Sequence, residues 1–207
     1  MRRRRASGRR AAAASLAAGV LVSALVGCSA GESLSSSETV EAAPTTTPEP
    51  APLATVSVIG RVDGALAKSD RGPLRIRVTS AVDRWIDAAY SGDYPRSDFS
   101  NAFASFTKEA RGRARQDAAL LSNSGIGPRL ETVVPVQRRV VLDVLAVKGR
   151  AVGVTAKVRL AFDLTGPLTD DRTRTDLVTG SLFLTFDKSG GAAGWRAFGY
   201  DLTRKES

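Results

Sequence analysis

The chain has 207 residues, with 30 Lys and Arg against 21 Asp and Glu, a formal net charge of +9, one cysteine and no histidine. The absence of histidine excludes histidine-based acid–base catalysis, Ser-His-Asp and Cys-His arrangements and histidine-ligated zinc. A lone cysteine excludes a disulfide within the chain, so burial must stabilise whatever folds.

The first 27 residues carry six arginines (Arg2 to Arg5, Arg9, Arg10) and no acid. Ala11 to Val26 follow as an apolar run, too short and alanine-rich for an ordinary spanning helix, and Leu25-Val26-Gly27 lead into Cys28. This order resembles a bacterial lipoprotein signal peptide with its lipobox. The resemblance implies cleavage before Cys28, lipidation of its thiol and a place on the extracytoplasmic face of the cell membrane. Arg9-Arg10 leave the export route open between the general and twin-arginine pathways.

Residues 28–54 hold four acids (Glu32, Glu38, Glu41, Glu49) and no base, and end in Pro44-Thr45-Thr46-Thr47-Pro48-Glu49-Pro50-Ala51-Pro52. With no apolar periodicity, the stretch is expected to be a disordered linker, extended where proline is dense and with a Thr/Pro composition compatible with O-glycosylation. Residues 55–207 then carry 24 basic and 17 acidic side chains, a net of +7. About 150 residues suffice for one domain without staples. Its basic surface would be drawn to anionic envelope polymers, headgroups or an acidic envelope protein; outside the cell no nucleic-acid partner is expected.

Within 55–207, Val56, Val58 and Val62 suggest a short strand. Val78, Val82, Trp85, Ile86 and Ala89 share one side of a helix over Leu74 to Tyr90, stopped by Ser91-Gly92-Asp93-Tyr94-Pro95. Phe99, Phe103 and Phe106, then Ala110, Ala114, Ala118 and Leu121, continue a helical period as two short helices or one bent one. After Ser122 to Pro128 the period becomes two. Val133 to Val147, Val152 to Leu164, Asp176 to Asp187 and Trp195 to Thr203 read as a meander of four long strands, the first two joined through Lys148-Gly149-Arg150. Helices grouped before an antiparallel sheet predict an α+β fold.

Val78 to Tyr90 with Gly92-Asp93-Tyr94, and the strands through Trp195 to Tyr200, resemble in pattern and order the nuclear-transport-factor-2-like (SnoaL-like) family and the extracytoplasmic domains of actinobacterial Mce-associated proteins. The resemblance implies N-terminal helices packed on a curved four-stranded antiparallel sheet, a cone that is either hollow or filled, and dimerisation through the sheet. The spanning anchor of the Mce-associated proteins is replaced here by the expected lipid on Cys28.

No P-loop, dinucleotide fingerprint or calcium loop is present, and no cofactor or metal is expected. Asp143, Asp163 and Asp201 lie in apolar surroundings. Asp143 shares side-chain parity with Val141 and Leu145, and Asp201 shares it with Trp195. Either carboxylate, with Tyr200 and Trp85, could line an interior cavity and move a proton, or could simply face solvent. Lys108, Arg111 and Arg115 share one helical side, either as a contact for anionic lipid or an acidic partner or as a solvated face. The leading expectation is a non-enzymatic binding or scaffolding lipoprotein serving an envelope component or transport assembly. Its rival is an apolar-ligand carrier or a histidine-free isomerase- or hydrolase-like enzyme.

Overall fold

The computed structural model describes residues 53–168, 172–188 and 194–206. The signal segment 1–27, Cys28 and the linker through residue 52 lie outside them. A compact unit spans Glu49–Ser207. Its buried apolar side chains run from Leu66 to Leu202, so it carries its own core.

Five strands form one sheet in the order β1-β2-β3-β4-β5: β1 (Val56–Asp63), β2 (Thr132–Val147), β3 (Arg150–Thr165), β4 (Thr173–Asp187) and β5 (Gly194–Glu206). The last four are the expected meander. Lys148 and Gly149, with φ of 50° and 78°, join β2 to β3 in the doubly left-handed turn that matches strand twist.

The four-stranded antiparallel sheet is corrected. β1 pairs in parallel with β2, from Val56 opposite Arg139 to Asp63 opposite Leu145, so the sheet is mixed and five-stranded. A parallel neighbour requires a crossover. That crossover contains α1 (Lys68–Tyr90), α2 (Lys108–Gln116) and the single turn α3 (Ala118–Leu121). Phe99, Phe103 and Phe106 do not form a helix. They sit in successive turns, and Phe106 bridges in parallel to Ala197. The sheet therefore dominates the fold, and the expected cone does not describe it.

α1 begins six residues before the expected start at Leu74, with Pro73 inside it. It touches β1, β2, β3 and β5. Val78, Val82, Trp85, Ile86 and Ala89 are wholly buried, as are Val140, Leu142, Ala156, Leu160 and Leu164 on the sheet's inner face. Tyr90 stacks on Phe162 at 4.8 Å and meets Trp85 edge-on at 5.6 Å. Arg138 is a polar exception on this face. It is held by Asp87 at 2.8 Å and Asp83 at 3.3 Å, which ties β2 to α1, and it also donates to the Leu53 carbonyl at 3.4 Å. Gly180 lies at φ +135°, and a Cβ there would stand 2.1 Å from the Asp201 carbonyl oxygen. Only glycine permits that approach of β4 to β5.

Candidate functional site

The side chains expected around one cavity are divided between the two faces of the sheet. On β2, Val140, Leu142 and Val144 take the inner face, so Asp143 faces outward, where it binds Lys157 Nζ at 2.8 Å. Asp163, on the outer face of β3, accepts a hydrogen bond from Thr175 at 2.7 Å. Asp201 fails the parity expectation because of a bulge. Leu184 pairs with Ala197 and Phe183 with Gly199, leaving Phe198 extra. Beyond that residue the alternation inverts, Tyr200 turns inward and Asp201 is exposed.

Trp85 is fully buried and donates from Nε1 to the Leu121 carbonyl at 3.1 Å. Tyr200 donates to Asp117 at 2.6 Å and lies edge-on to Phe106 at 6.2 Å. Neither side chain approaches Asp143 or Asp201 in a shared cavity; the space beneath α1 is occupied by Trp85, Tyr90 and Phe162.

A polar network absent from the sequence reading closes one end of the core. Asp176, wholly buried on β4, faces Arg174 Nε at 3.0 Å and accepts from Arg204 Nε at 2.7 Å. Arg204 also donates to the Ser122 carbonyl at 2.7 Å and to Asn123 Oδ1 at 2.8 Å. Asn123 then donates to the Tyr94 hydroxyl at 3.0 Å, which donates to the Tyr90 carbonyl at 3.0 Å. The network anchors the α3 loop to the sheet.

The chain's three tyrosines are all held above their ordinary titration range. Burial raises Tyr90 and Tyr94, and burial followed by the Asp117 contact raises Tyr200 to about 12. The fold therefore favours the protonated phenols. Their contribution is complete below the unfolded value of about 10 and is lost as pH rises through the folded values. Phenolate absorbance of the native protein should accordingly appear well above pH ~10, with resistance to urea falling over the same range. A tyrosine that titrates at its ordinary value in the native protein would contradict this burial.

On α2, Lys108 and Arg115 are exposed, but Arg111 donates to the carbonyls of Phe106 at 3.3 Å and Ala104 at 3.4 Å. The expected three-residue basic contact is thereby reduced to two cations without a partner among the described residues and a side chain that secures a turn.

The outer face carries a groove of about 430 Å³ whose lining includes Asp143, Lys157, Gly153, Thr155, Phe183 and Phe198. Phe198 is pushed out by the bulge, is 54% exposed and lies 6.3 Å from Phe183. Gly153 needs no unusual φ, and the nearest atom a Cβ would meet is Leu184 O at 3.8 Å. Its lack of a side chain is unnecessary for folding but keeps the groove open. Arg61 pairs with Asp63 at 3.1 Å and Lys157 with Asp143 at 2.8 Å along its lining, so both signs are present.

Among the described residues no helix is long and apolar enough to cross a membrane. Comparison with protein-family models, with curated proteins and with solved structures finds no match for this chain.

Proposed function

We propose that this chain is an extracytoplasmic lipoprotein, held to the cell membrane by lipid on Cys28, whose domain binds a protein component of the envelope without catalysing a reaction. The observation that carries the anchor is the run of arginines and apolar residues ending in Leu25-Val26-Gly27-Cys28. The outer groove supports the binding role. An exposed Phe198 beside Phe183 offers an apolar anchor, while paired charges of both signs complement another protein's mixed surface better than a uniform polyanion. Dispersal of the candidate carboxylates over the outer face, with Asp143 neutralised by Lys157, favours binding over proton transfer.

Cys28→Ala should release the protein from the membrane fraction, and the wild-type N-terminus should carry acyl mass on Cys28. A photo-crosslinking residue at Phe198 in the producing cell should give a discrete protein adduct, and Gly153→Leu should remove it while leaving the unfolding midpoint nearly unchanged. An unlipidated Cys28 would overturn the anchor. An adduct indifferent to Gly153→Leu would overturn the groove, and an adduct with the chain itself would make the outer face a homodimer contact.

A further inference from the structure

The end of the sheet where β2 turns into β3 and β4 reaches Asp187 has a different chemistry from the groove. Two adjoining depressions of about 450 and 290 Å³ share Arg77, Phe186 and Trp195. Arg150 lines the first, together with Asp70, while Ile76 and Arg84 line the second. Ile76 is 63% exposed and Phe186 40% exposed, with Trp195 edge-on to Phe186 at 5.9 Å. Arg77, Arg150 and the turn residue Lys148 are exposed and have no ion-pair or hydrogen-bond partner among the described residues. Among the described residues Arg84 has only the Ser80 hydroxyl at 3.1 Å. Of the acids nearby, Asp187 is engaged by Arg196 at 3.4 Å, leaving Asp70 against the four cations. Exposed apolar side chains surrounded by unneutralised cations match an interface with anionic headgroups above and acyl chains below.

We infer that this tip, formed by Ile76 and Phe186 among Arg77, Arg84, Lys148 and Arg150, docks on the surface of an anionic phospholipid bilayer. The identity of the occupant rests on the membrane reading above. Chain length permits the geometry. The described chain begins at Leu53, whose carbonyl is held by Arg138, and β1 starts opposite Arg139, eight residues along β2 from its end at Val147. That separation is roughly 27 Å. The 24 residues between Cys28 and Leu53 could reach roughly 80 Å when fully extended, ample for the tip to turn toward the bilayer that would hold the lipid. Docking this end leaves the outer face of the sheet accessible to a partner.

Residues 49–207, which contain the whole core and lack Cys28, should cosediment with vesicles of phosphatidylcholine containing about a third phosphatidylglycerol, but not with phosphatidylcholine alone. Added salt should release them. Arg77→Glu with Arg150→Glu should weaken binding at least about tenfold, since each cation near such a surface contributes about 1 kcal/mol. Ile76→Ser with Phe186→Ser should also weaken binding, and Lys108→Glu with Arg115→Glu should leave it unchanged. All these side chains are exposed, and circular dichroism of each variant checks the fold. Equal binding to neutral vesicles, indifference to the tip substitutions, equal loss on the α2 reversal, or capture by an acidic peptide without vesicle binding would each overturn the inference. Because Cys28 is absent from this assay, failure of the tip is distinguishable from failure of the lipid anchor.

Discussion

Replacing Asp176 by alanine should destabilise the domain by about 3–5 kcal/mol, a large part of the 5–15 kcal/mol that holds a typical domain folded. The carboxylate is wholly buried, and both Arg174 and Arg204, themselves mostly buried, address it. Its removal leaves two guanidinium groups without their shared counter-charge. Arg174 retains Glu206 at 2.8 Å, which is largely exposed and a weak substitute. Arg204 retains its carbonyl acceptors but loses its only ion pair among the described residues. Asp176→Asn, which keeps the shape and removes the charge, should cost most of the same amount. Asp143→Asn is the internal comparison, because its partner Lys157 is 58% exposed and such pairs contribute about 0–1 kcal/mol. Urea unfolding midpoints at unchanged slope check both; a loss below about 1 kcal/mol for Asp176→Ala would mean that the network does not hold the α3 loop to the sheet.

The two periodicities were readable where the chain obeys them over many residues. Val154 to Leu164 alternate as expected, whereas Val152, skipped in the pairing of β2 with β3, is left exposed; Val78 to Ala89 bury the predicted side of α1. Ile76, out of phase with that side and not singled out by the periodicity, is left exposed. The failures have local physical causes. Phe99, Phe103 and Phe106 mimic a helical period, but the edge of β5 captures the segment: Thr107 donates to the Ala197 carbonyl at 2.8 Å and Ala197 to the Ser105 carbonyl at 3.0 Å. Tertiary hydrogen bonding thus overrides local spacing. The only mark of the bulge at Phe198 is Gly199 beside it, a weak signal, yet one extra residue sends Asp201 to solvent and Tyr200 inward. The partner of β1 lies beyond all three helices, so its valines announce a strand without announcing a neighbour. Asp176 looked like an ordinary strand terminus, because one of its partners, Arg204, is contributed from the far end of β5. Of the residues nominated for a site, Asp143 alone lines the outer groove, and the glycine that opens it carries no signal until the space around it is known.

Trp85→Ala should cost about 3–5 kcal/mol, which distinguishes a packed interior from one holding a ligand cavity. The indole has no exposed surface, meets Tyr90 edge-on and satisfies the Leu121 carbonyl, so truncation removes apolar burial and a hydrogen bond together. The carbonyl left behind is at the end of α3, whose single turn has little stability of its own. Trp85→Phe keeps most of the volume and loses the donor, so it should cost about 1–3 kcal/mol, the penalty of one buried acceptor left unpaired. The chain's other tryptophan, Trp195, lies at the basic tip. Both indoles are buried, but only Trp195 lines the tip: in Trp195→Phe the remaining emission should not respond to anionic vesicles, whereas in Trp85→Phe the Trp195 emission should respond. Were Trp85 lining a void, apolar probes would already bind the wild type. A cost of several kcal/mol, with apolar probes binding only after truncation, places binding on the surfaces of this domain rather than in its core.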